Sequence, residues 1–218
     1  MKILAFEFSS DHRSVALAEV GATAQILSEA AVGGIRSTPV LTLVDDVLRQ
    51  ANETRDAIEG MVIGLGPGSY TGIRIAIATA QGWQLACGVK LLGVSSVAAL
   101  AERARDEGLR GHVGVAIDAQ RGEFYLANYD LTEDGARVIE PLRLVSRSEI
   151  ERRLAAGETI VGPEATQFSP QARLLFPRAT DLAKLAVGRN DFVDGETLAP
   201  VYLREVSFVK APPPRIVP

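Results

Sequence analysis

The chain has 218 residues, of which 47% are hydrophobic and 23% are charged, and its formal net charge is −4 at pH 7. This composition is typical of a folded globular protein with one large domain or two small lobes. The net negative charge excludes a protein that binds nucleic acid without a partner, because phosphate contacts need a basic surface. No apolar run approaches the roughly 20 residues that span a bilayer, so we predict a cytoplasmic protein without a membrane segment.

A single cysteine, Cys87, rules out an internal disulfide and fits a reducing compartment. Its apolar setting, QLACGV, predicts a buried and unreactive thiol. The opening residues, MKILAFEFSS, lack a cleavage site and meet acidic residues early. We therefore interpret them as a first strand and not as a signal peptide.

Three short apolar runs open the first half of the chain, at residues 3–8, 14–20 and 23–32. Turn-forming residues separate them, which predicts an antiparallel three-strand meander. A helix should follow, with Thr38 as its N-cap and Pro39 in its first position. Further strands are predicted at residues 61–65 and 90–94, and further helices over residues 71–87 and from Ser95 or Ser96 to near Gly108.

The second half repeats this order after Gly111. Strands are predicted at residues 112–118, 123–130, 137–145 and 159–162, and helices at residues 148–156, 169–176 and 180–188. Antiparallel strands first and helices later, in both halves, indicate an α+β or mixed α/β protein of two related lobes. We assign residues 1–108 to the first lobe and residues 109–218 to the second, with a proline-rich tail at residues 210–218.

A glycine-rich turn with the sequence GLGPGSYTGIRIAIATA covers residues 64–80. Its backbone amides and the following helix N-terminus could bind an anion, which makes it a candidate phosphate-binding loop. The residues concerned are Gly66, Gly68, Ser69, Thr71 and Gly72. The turn lacks the G-K-[ST] of a P-loop and does not match G-x-G-x-x-G. A tight turn between two packed elements is the alternative, and the sequence leaves both open.

The helix after this turn is apolar on nearly all sides. Between residues 73 and 87 its polar side chains are Arg74, Thr79, Gln81 and Gln84. A row of very small residues, Ala78, Gly82 and Ala86, runs along it at a spacing of four. Glycine within a helix costs about 1 kcal/mol relative to alanine, so Gly82 needs a compensating role. Small residues let another backbone approach closely, and that neighbour is either a helix of the same lobe or one from a partner chain.

Four segments of the chain together resemble one known family. They are GPGSYTGIRI, QGWQLACGVKLLGVSSVAALA, IDAQRGEFYLANY and APVYLR. These segments resemble the TsaB (YeaZ) family, the non-catalytic member of the bacterial machinery that makes threonylcarbamoyladenosine in tRNA. The resemblance implies a two-lobe actin-like fold of the ASKHA and RNase H-like type. It also implies a heterodimer with the catalytic subunit TsaD and cooperation with the ATPase TsaE. We expect tRNA contact only through the complex and no cofactor, and the sequence leaves open whether ATP or ADP binds at the complex interface.

In the TsaB family two helices form a bundle with the partner, and they match residues 38–52 and 71–87 of this chain. The implied interface residues are Thr38, Leu41, Asp45, Leu48, Tyr70, Arg74, Ala78, Gly82 and Ala86. The chain departs from the family pattern twice. Glu7 stands in FEFSS where Asp is usual, and RST at residues 36–38 replaces a common histidine–serine pair. We retain Glu7 beside the glycine turn as a candidate phosphate contact, whereas arginine cannot replace histidine as a neutral metal ligand.

The sequence favours no catalytic or metal site. The two histidines, His12 and His112, lie far apart in the chain, whereas a metal needs several convergent ligands. Ser69 in GPGSYTG does not match the nucleophile elbow G-x-S-x-G. Asp118 and Glu123 could be interpreted as an acid pair, but they flank a turn, which favours solvated turn roles.

We therefore expect an accessory scaffold subunit without catalysis of its own. The alternatives are an independent nucleotide-binding enzyme of the sugar-kinase class and a protein whose working form is a homodimer. A nearly all-apolar helix leaves a patch that water disfavours, so we also expect the isolated chain to pair with a second copy.

Overall fold

The computed structural model describes residues 1–34 and 39–203, and the predicted tail at residues 210–218 lies outside them. Its first sheet has five strands: β1 Lys2–Glu7, β2 His12–Val20, β3 Ala24–Gly33, β4 Gly60–Gly64 and β5 Lys90–Val94. Their order across the sheet is β3–β2–β1–β4–β5. The first three strands form an antiparallel meander, whereas β4 and β5 run parallel to β1. Because β1 is central, five of its six residues are buried.

The second sheet repeats the arrangement of the first. Its strands are β6 Gly111–Asp118, β7 Glu123–Leu131, β8 Ala136–Ser146, β9 Thr159–Gly162 and β10 Arg173–Leu174, in the order β10–β9–β6–β7–β8. Again a meander of three antiparallel strands is followed by two parallel ones. Two lobes with one shared sheet topology make up the mixed α/β, two-lobe actin-like fold, and the predicted fold class is confirmed.

Helices connect the strands: α1 Val40–Ala51, α2 Tyr70–Cys87, α3 Ser96–Asp106, α4 Arg147–Ala155, α5 Ala165–Phe168 and α6 Ala179–Leu185. α1 begins one residue later than predicted, with Pro39 as its N-cap, and Thr38 lies outside the described residues. The helix predicted at residues 169–176 is wrong, because α5 ends at Phe168 and β10 follows. Ser169 is extended, with ψ of 138°, since the proline that follows it disfavours helical backbone.

The hydrophobic cores link the two halves of the chain. α1 and α2 cover one face of the first sheet, and α6 packs Leu182 and Ala183 on its other face. α3 places Leu100 and Ala104 in the core of the second sheet. The predicted division after residue 108 stays a prediction, but packing crosses it in both directions. None of the helices in the described ranges combines the length and the apolar character needed to cross a membrane.

Candidate functional site

The glycine turn joins β4 to α2 and packs against the end of β1. A side chain at Gly68 would overlap the carbonyl oxygen of Ser9, and one at Gly72 would overlap that of Phe8. The Ser69 amide donates a hydrogen bond to the Ser9 carbonyl at 2.6 Å. These close approaches of backbone to backbone require glycine at both positions.

Glu7 closes the base of this turn with a fully buried carboxylate. Its Oε1 accepts a hydrogen bond from the Ser9 amide at 2.8 Å, and its Oε2 accepts one from the Ser96 hydroxyl at 2.8 Å. The Ser96 oxygen accepts in turn from the Gly66 amide at 3.1 Å. Burial raises the pKa of Glu7, and the hydrogen bonds from Ser9 and Ser96 oppose that rise. The carboxylate thus ties β1, the glycine turn and α3 together.

The candidate phosphate-binding loop already uses several of its own donors. The amides of Gly66, Ser69 and Gly72 donate to neighbouring protein groups. The Gly72 bond, to the Ser69 hydroxyl at 3.3 Å, caps the N-terminus of α2. Thr71 is exposed in the first turn of that helix. The structure brings the predicted loop residues and Glu7 together, and the hydrogen bonds favour the tight-turn interpretation.

A cleft of about 550 Å³ lies between the two lobes beside the glycine turn. The first lobe contributes residues 9–11 and 68–70 to its lining. The second lobe contributes residues 117–120, Tyr125, Glu164 and Gln167, and Tyr202 near the end of the described residues completes the lining. The Asp118 carboxylate accepts the amide of Gln120, two residues on, at 2.7 Å. Glu7 accepts the Ser9 amide in the same way, so the two carboxylates occupy equivalent positions in the two lobes.

Glu164 is a cleft residue that the sequence did not single out. Burial raises the pKa of Glu164 to about 7. The Asp118 amide donates a hydrogen bond to Glu164 Oε2 at 3.4 Å and opposes this rise, whereas the negative charges of Asp118 and Asp11 add to it. No local pattern marks this residue, since it comes close to Asp118 only through the pairing of β6 with β9.

The lining of the cleft bears on whether it can hold a nucleotide. Among the described residues that line it none is lysine or arginine, whereas Asp11, Asp118 and Glu164 supply carboxylates. Phosphate oxygens would meet like charge there. Within residues 1–34 and 39–203, no three His, Cys, Asp or Glu side chains are grouped so that they could hold a metal ion. The cleft lining itself therefore does not fit a nucleotide phosphate chain, although Arg121 and Arg147 line a smaller adjoining pocket that shares Asp118, Gln120, Glu164 and Gln167 with the cleft.

A second surface feature is an apolar groove of about 560 Å³ between α1 and α2. We call it the α1–α2 face, and its apolar lining includes Val40, Leu41, Ala78, Gly82, Trp83 and Ala86. Of the described residues, none would lie within 4 Å of a Cβ added at Gly82. The small-residue row therefore faces outward. The sequence allowed either a helix of the same lobe or a helix of a partner chain to pack on this row, and the described residues contain no such helix of the same lobe.

The other predicted interface residues on the two helices divide by exposure. Asp45, Tyr70 and Arg74 are exposed, and the Arg74 guanidinium lies over the Tyr70 ring, 5.1 Å from its centroid. Leu48 is only 5% exposed and packs in the core of the first sheet, and its part in the interface stays a prediction. It follows Val44 by one helical turn and so points to the same buried side.

Cys87 also differs from the sequence-based expectation. Its thiol is exposed at the end of α2 and lines the α1–α2 face. Its neighbours in the chain are apolar because the α1–α2 face is an exposed apolar surface. Apolar sequence neighbours therefore do not indicate a buried thiol at this position.

Two lobes of one topology, with a cleft between them, define a protein of the actin-like two-lobe class. The family model described as TsaD, tRNA N6-adenosine threonylcarbamoyltransferase, matches residues 36–192. The tRNA threonylcarbamoyladenosine biosynthesis protein TsaB of Escherichia coli (strain K12) is 33% identical over 193 residues, which cover 79% of this chain and 83% of that protein. The YeaZ structure from Pseudomonas aeruginosa superposes with a TM-score of 0.77 at 31% identity, covering 93% of this chain and 99% of that one. The chain belongs to the TsaB (YeaZ) family.

Proposed function

We propose that this protein is a non-catalytic scaffold subunit of bacterial tRNA N6-threonylcarbamoyladenosine synthesis, acting in the cytoplasm. In this proposal it pairs with the catalytic subunit TsaD through the α1–α2 face, works with the ATPase TsaE, and meets tRNA only through the complex. The E. coli relative, a tRNA threonylcarbamoyladenosine biosynthesis protein, supports the pathway. The TsaD-type family model supports a partner of the same fold, because related folds offer equivalent helices for pairing.

The outward small-residue row of α2 is the observation that carries this proposal. Gly82 costs the isolated helix about 1 kcal/mol relative to alanine, and no group of the described chain packs into the space beside it. Helices approach to the short end of the usual 8–10 Å range only where side chains at the contact are small. An exposed apolar groove beside such a row is the kind of patch that a partner covers.

Gly82→Leu tests the proposal. A leucine at the centre of the row should hold the helices apart, and overpacking of a tight contact costs about 1–3 kcal/mol. The corresponding loss of affinity for TsaD is about 5- to 150-fold. The melting temperature of the isolated chain should hold or rise, because a Cβ at this position meets none of the described residues within 4 Å and leucine is the better helix former. Calorimetric titration with TsaD and thermal unfolding give the two measurements.

Gly21→Leu is the matched control, because a Cβ there also meets none of the described residues within 4 Å and the position lies in the β2–β3 turn. It should bind TsaD like the natural chain. A lowered melting temperature of Gly82→Leu with unchanged TsaD affinity would place Gly82 against the chain's own core and remove the main support for this interface.

An independent nucleotide-binding enzyme of the sugar-kinase class is the second candidate, and the cleft beside the glycine turn is the observation that favours it. Calorimetry of the isolated chain with ATP and Mg²⁺ separates the two. The scaffold proposal expects no micromolar binding and no turnover, because three carboxylates and none of the described lysines or arginines line the cleft. Turnover by the pure chain that disappears in Glu7→Ala would favour the enzyme.

A further inference from the structure

Near the end of the described chain a segment that includes a 3-10 turn at Gly195–Thr197 binds the side of α2. We call residues 193–202 the strap. The Val193 amide donates to the Leu91 carbonyl at 2.9 Å, and the Val201 amide donates to the Leu65 carbonyl at 2.8 Å. Leu198 between them is buried in the core of the first sheet. The strap is thus fixed at both ends and in the middle.

Two glutamines of α2 recognise the strap backbone. Gln81 Nε2 donates to the Gly195 carbonyl at 2.8 Å, and Gln84 Oε1 accepts from the Gly195 amide at 2.8 Å. A Cβ at Gly195 would lie 3.0 Å from atoms of both glutamine side chains, so a larger residue there would require these side chains to shift by a few tenths of an ångström. Two of the four polar residues between residues 73 and 87 of this helix therefore serve to hold the strap beside it.

The strap ends in an aromatic patch at the start of α2. The Tyr202 ring lies 5.4 Å from the Tyr70 ring between centroids, and the two residues are 43% and 49% exposed. Leu203, the next residue, is also exposed. Tyr70 and Arg74 begin the i, i+4 row that continues through Ala78 to the rest of the small-residue row. The patch is therefore continuous with the α1–α2 face.

We propose that Tyr202 is a contact residue for the TsaD partner, so that the partner-binding surface has three parts: α1, α2 and the end of the strap. This inference rests on the proposed function. Half-exposed tyrosines that are pre-positioned by a rigid backbone lose little conformational freedom on binding, and tyrosine is enriched among the residues that dominate interfaces. The strap supplies that rigidity through Gly195, Leu198 and Val201.

Tyr202→Ala in the full chain, titrated with TsaD in a calorimeter, is the test. We expect a loss of affinity of about tenfold or more, the size that marks a central interface residue, with an unchanged melting temperature because the ring is half exposed. Tyr202→Phe keeps the ring and should bind within about twofold of the natural chain. Leu174→Ala is the matched control, since Leu174 is 46% exposed but lies in β10 of the second sheet.

The outcomes separate this inference from the proposed function. If Gly82→Leu loses TsaD affinity while Tyr202→Ala binds normally, the role of Tyr202 is overturned and the proposed function stands. An equal loss in Leu174→Ala and Tyr202→Ala overturns it too, because the effect would not be local. If the natural chain does not bind TsaD, both fall together. Weak binding by Tyr202→Ala that Tyr202→Phe restores, at constant melting temperature, supports the contact.

Discussion

Gly72 and Gly82 lie in the same helix and have opposite surroundings. A Cβ at Gly72 would overlap the Phe8 carbonyl oxygen, which belongs to backbone and cannot turn aside. A Cβ at Gly82 would meet none of the described residues within 4 Å. One glycine is therefore required by the fold of the lobe, whereas the other is free of the lobe and open to a partner.

We predict that Gly72→Ala and Gly82→Ala change stability in opposite directions. Gly72→Ala forces the glycine turn away from β1 and should lower the free energy of unfolding by roughly 1–3 kcal/mol or more. Gly82→Ala should raise it by up to about 1 kcal/mol, the difference in helix propensity. Urea denaturation of the two variants measures both values, and a loss of stability in Gly82→Ala would contradict the outward orientation of this residue.

At the scale of elements, α1 and α2 together leave an apolar surface that the rest of the described chain does not cover. Leu41 is 60% exposed beside the groove, and Trp83 is only partly buried. Exposed apolar groups of this size favour association in water, and a two-fold pairing is the simplest closed form.

We therefore predict that the isolated chain self-associates through the α1–α2 face. Sedimentation velocity should show a dimer that dissociates on dilution, and Gly82→Leu should shift the equilibrium toward monomer by the same overpacking that we expect to weaken TsaD binding. Gly21→Leu should sediment like the natural chain. If the natural chain stays monomeric at high micromolar concentration, the prediction of self-association through the α1–α2 face is wrong.

At the scale of the whole molecule, α6 returns from the second half of the chain to the first sheet. Asp181 in its first turn is fully buried, and its Oδ2 accepts a hydrogen bond from the Arg178 amide at 3.2 Å. Burial raises the pKa of Asp181 to about 7, although the positive charges of Lys184 and Arg103 oppose the rise. The contact between the halves thus contains an acid that is protonated more readily in the folded chain than in the unfolded one.

Asp181→Asn should therefore change how stability depends on pH. Between the ordinary value near 3.8 and about 7 the folded chain keeps a proton that the unfolded chain has lost, so the free energy of unfolding of the natural chain falls as pH rises through this window. The free energy of unfolding of the variant lacks this fall. At pH 7.5 it should exceed that of the natural chain by about 1–4 kcal/mol, since one pKa unit corresponds to about 1.4 kcal/mol. Denaturant titrations at pH 4.5 and 7.5 measure the difference, and equal pH dependence in both proteins would show that Asp181 titrates normally.

The sequence by itself determined the element types, the duplication and the family. Strands lie where apolar runs stand between turn residues, because the pattern that marks a strand is local even though its pairing is not. The helix predicted at residues 169–176 is wrong although the local signal is present, since the proline after Ser169 disfavours helical backbone at that residue. The glycine turn was located correctly, but its sequence allowed both phosphate binding and tight packing.

Only the tertiary structure decided which way each side chain points and what meets it there. The outward direction of Gly82, the burial of Leu48 and the exposure of Cys87 depend on where α1 and α2 lie on the first sheet. Glu164 reaches the cleft through strand pairing, and Gln81 meets Gly195 across 114 residues of chain. Such contacts leave no local pattern because their partners are distant in sequence, and folding alone brings them within hydrogen-bonding distance.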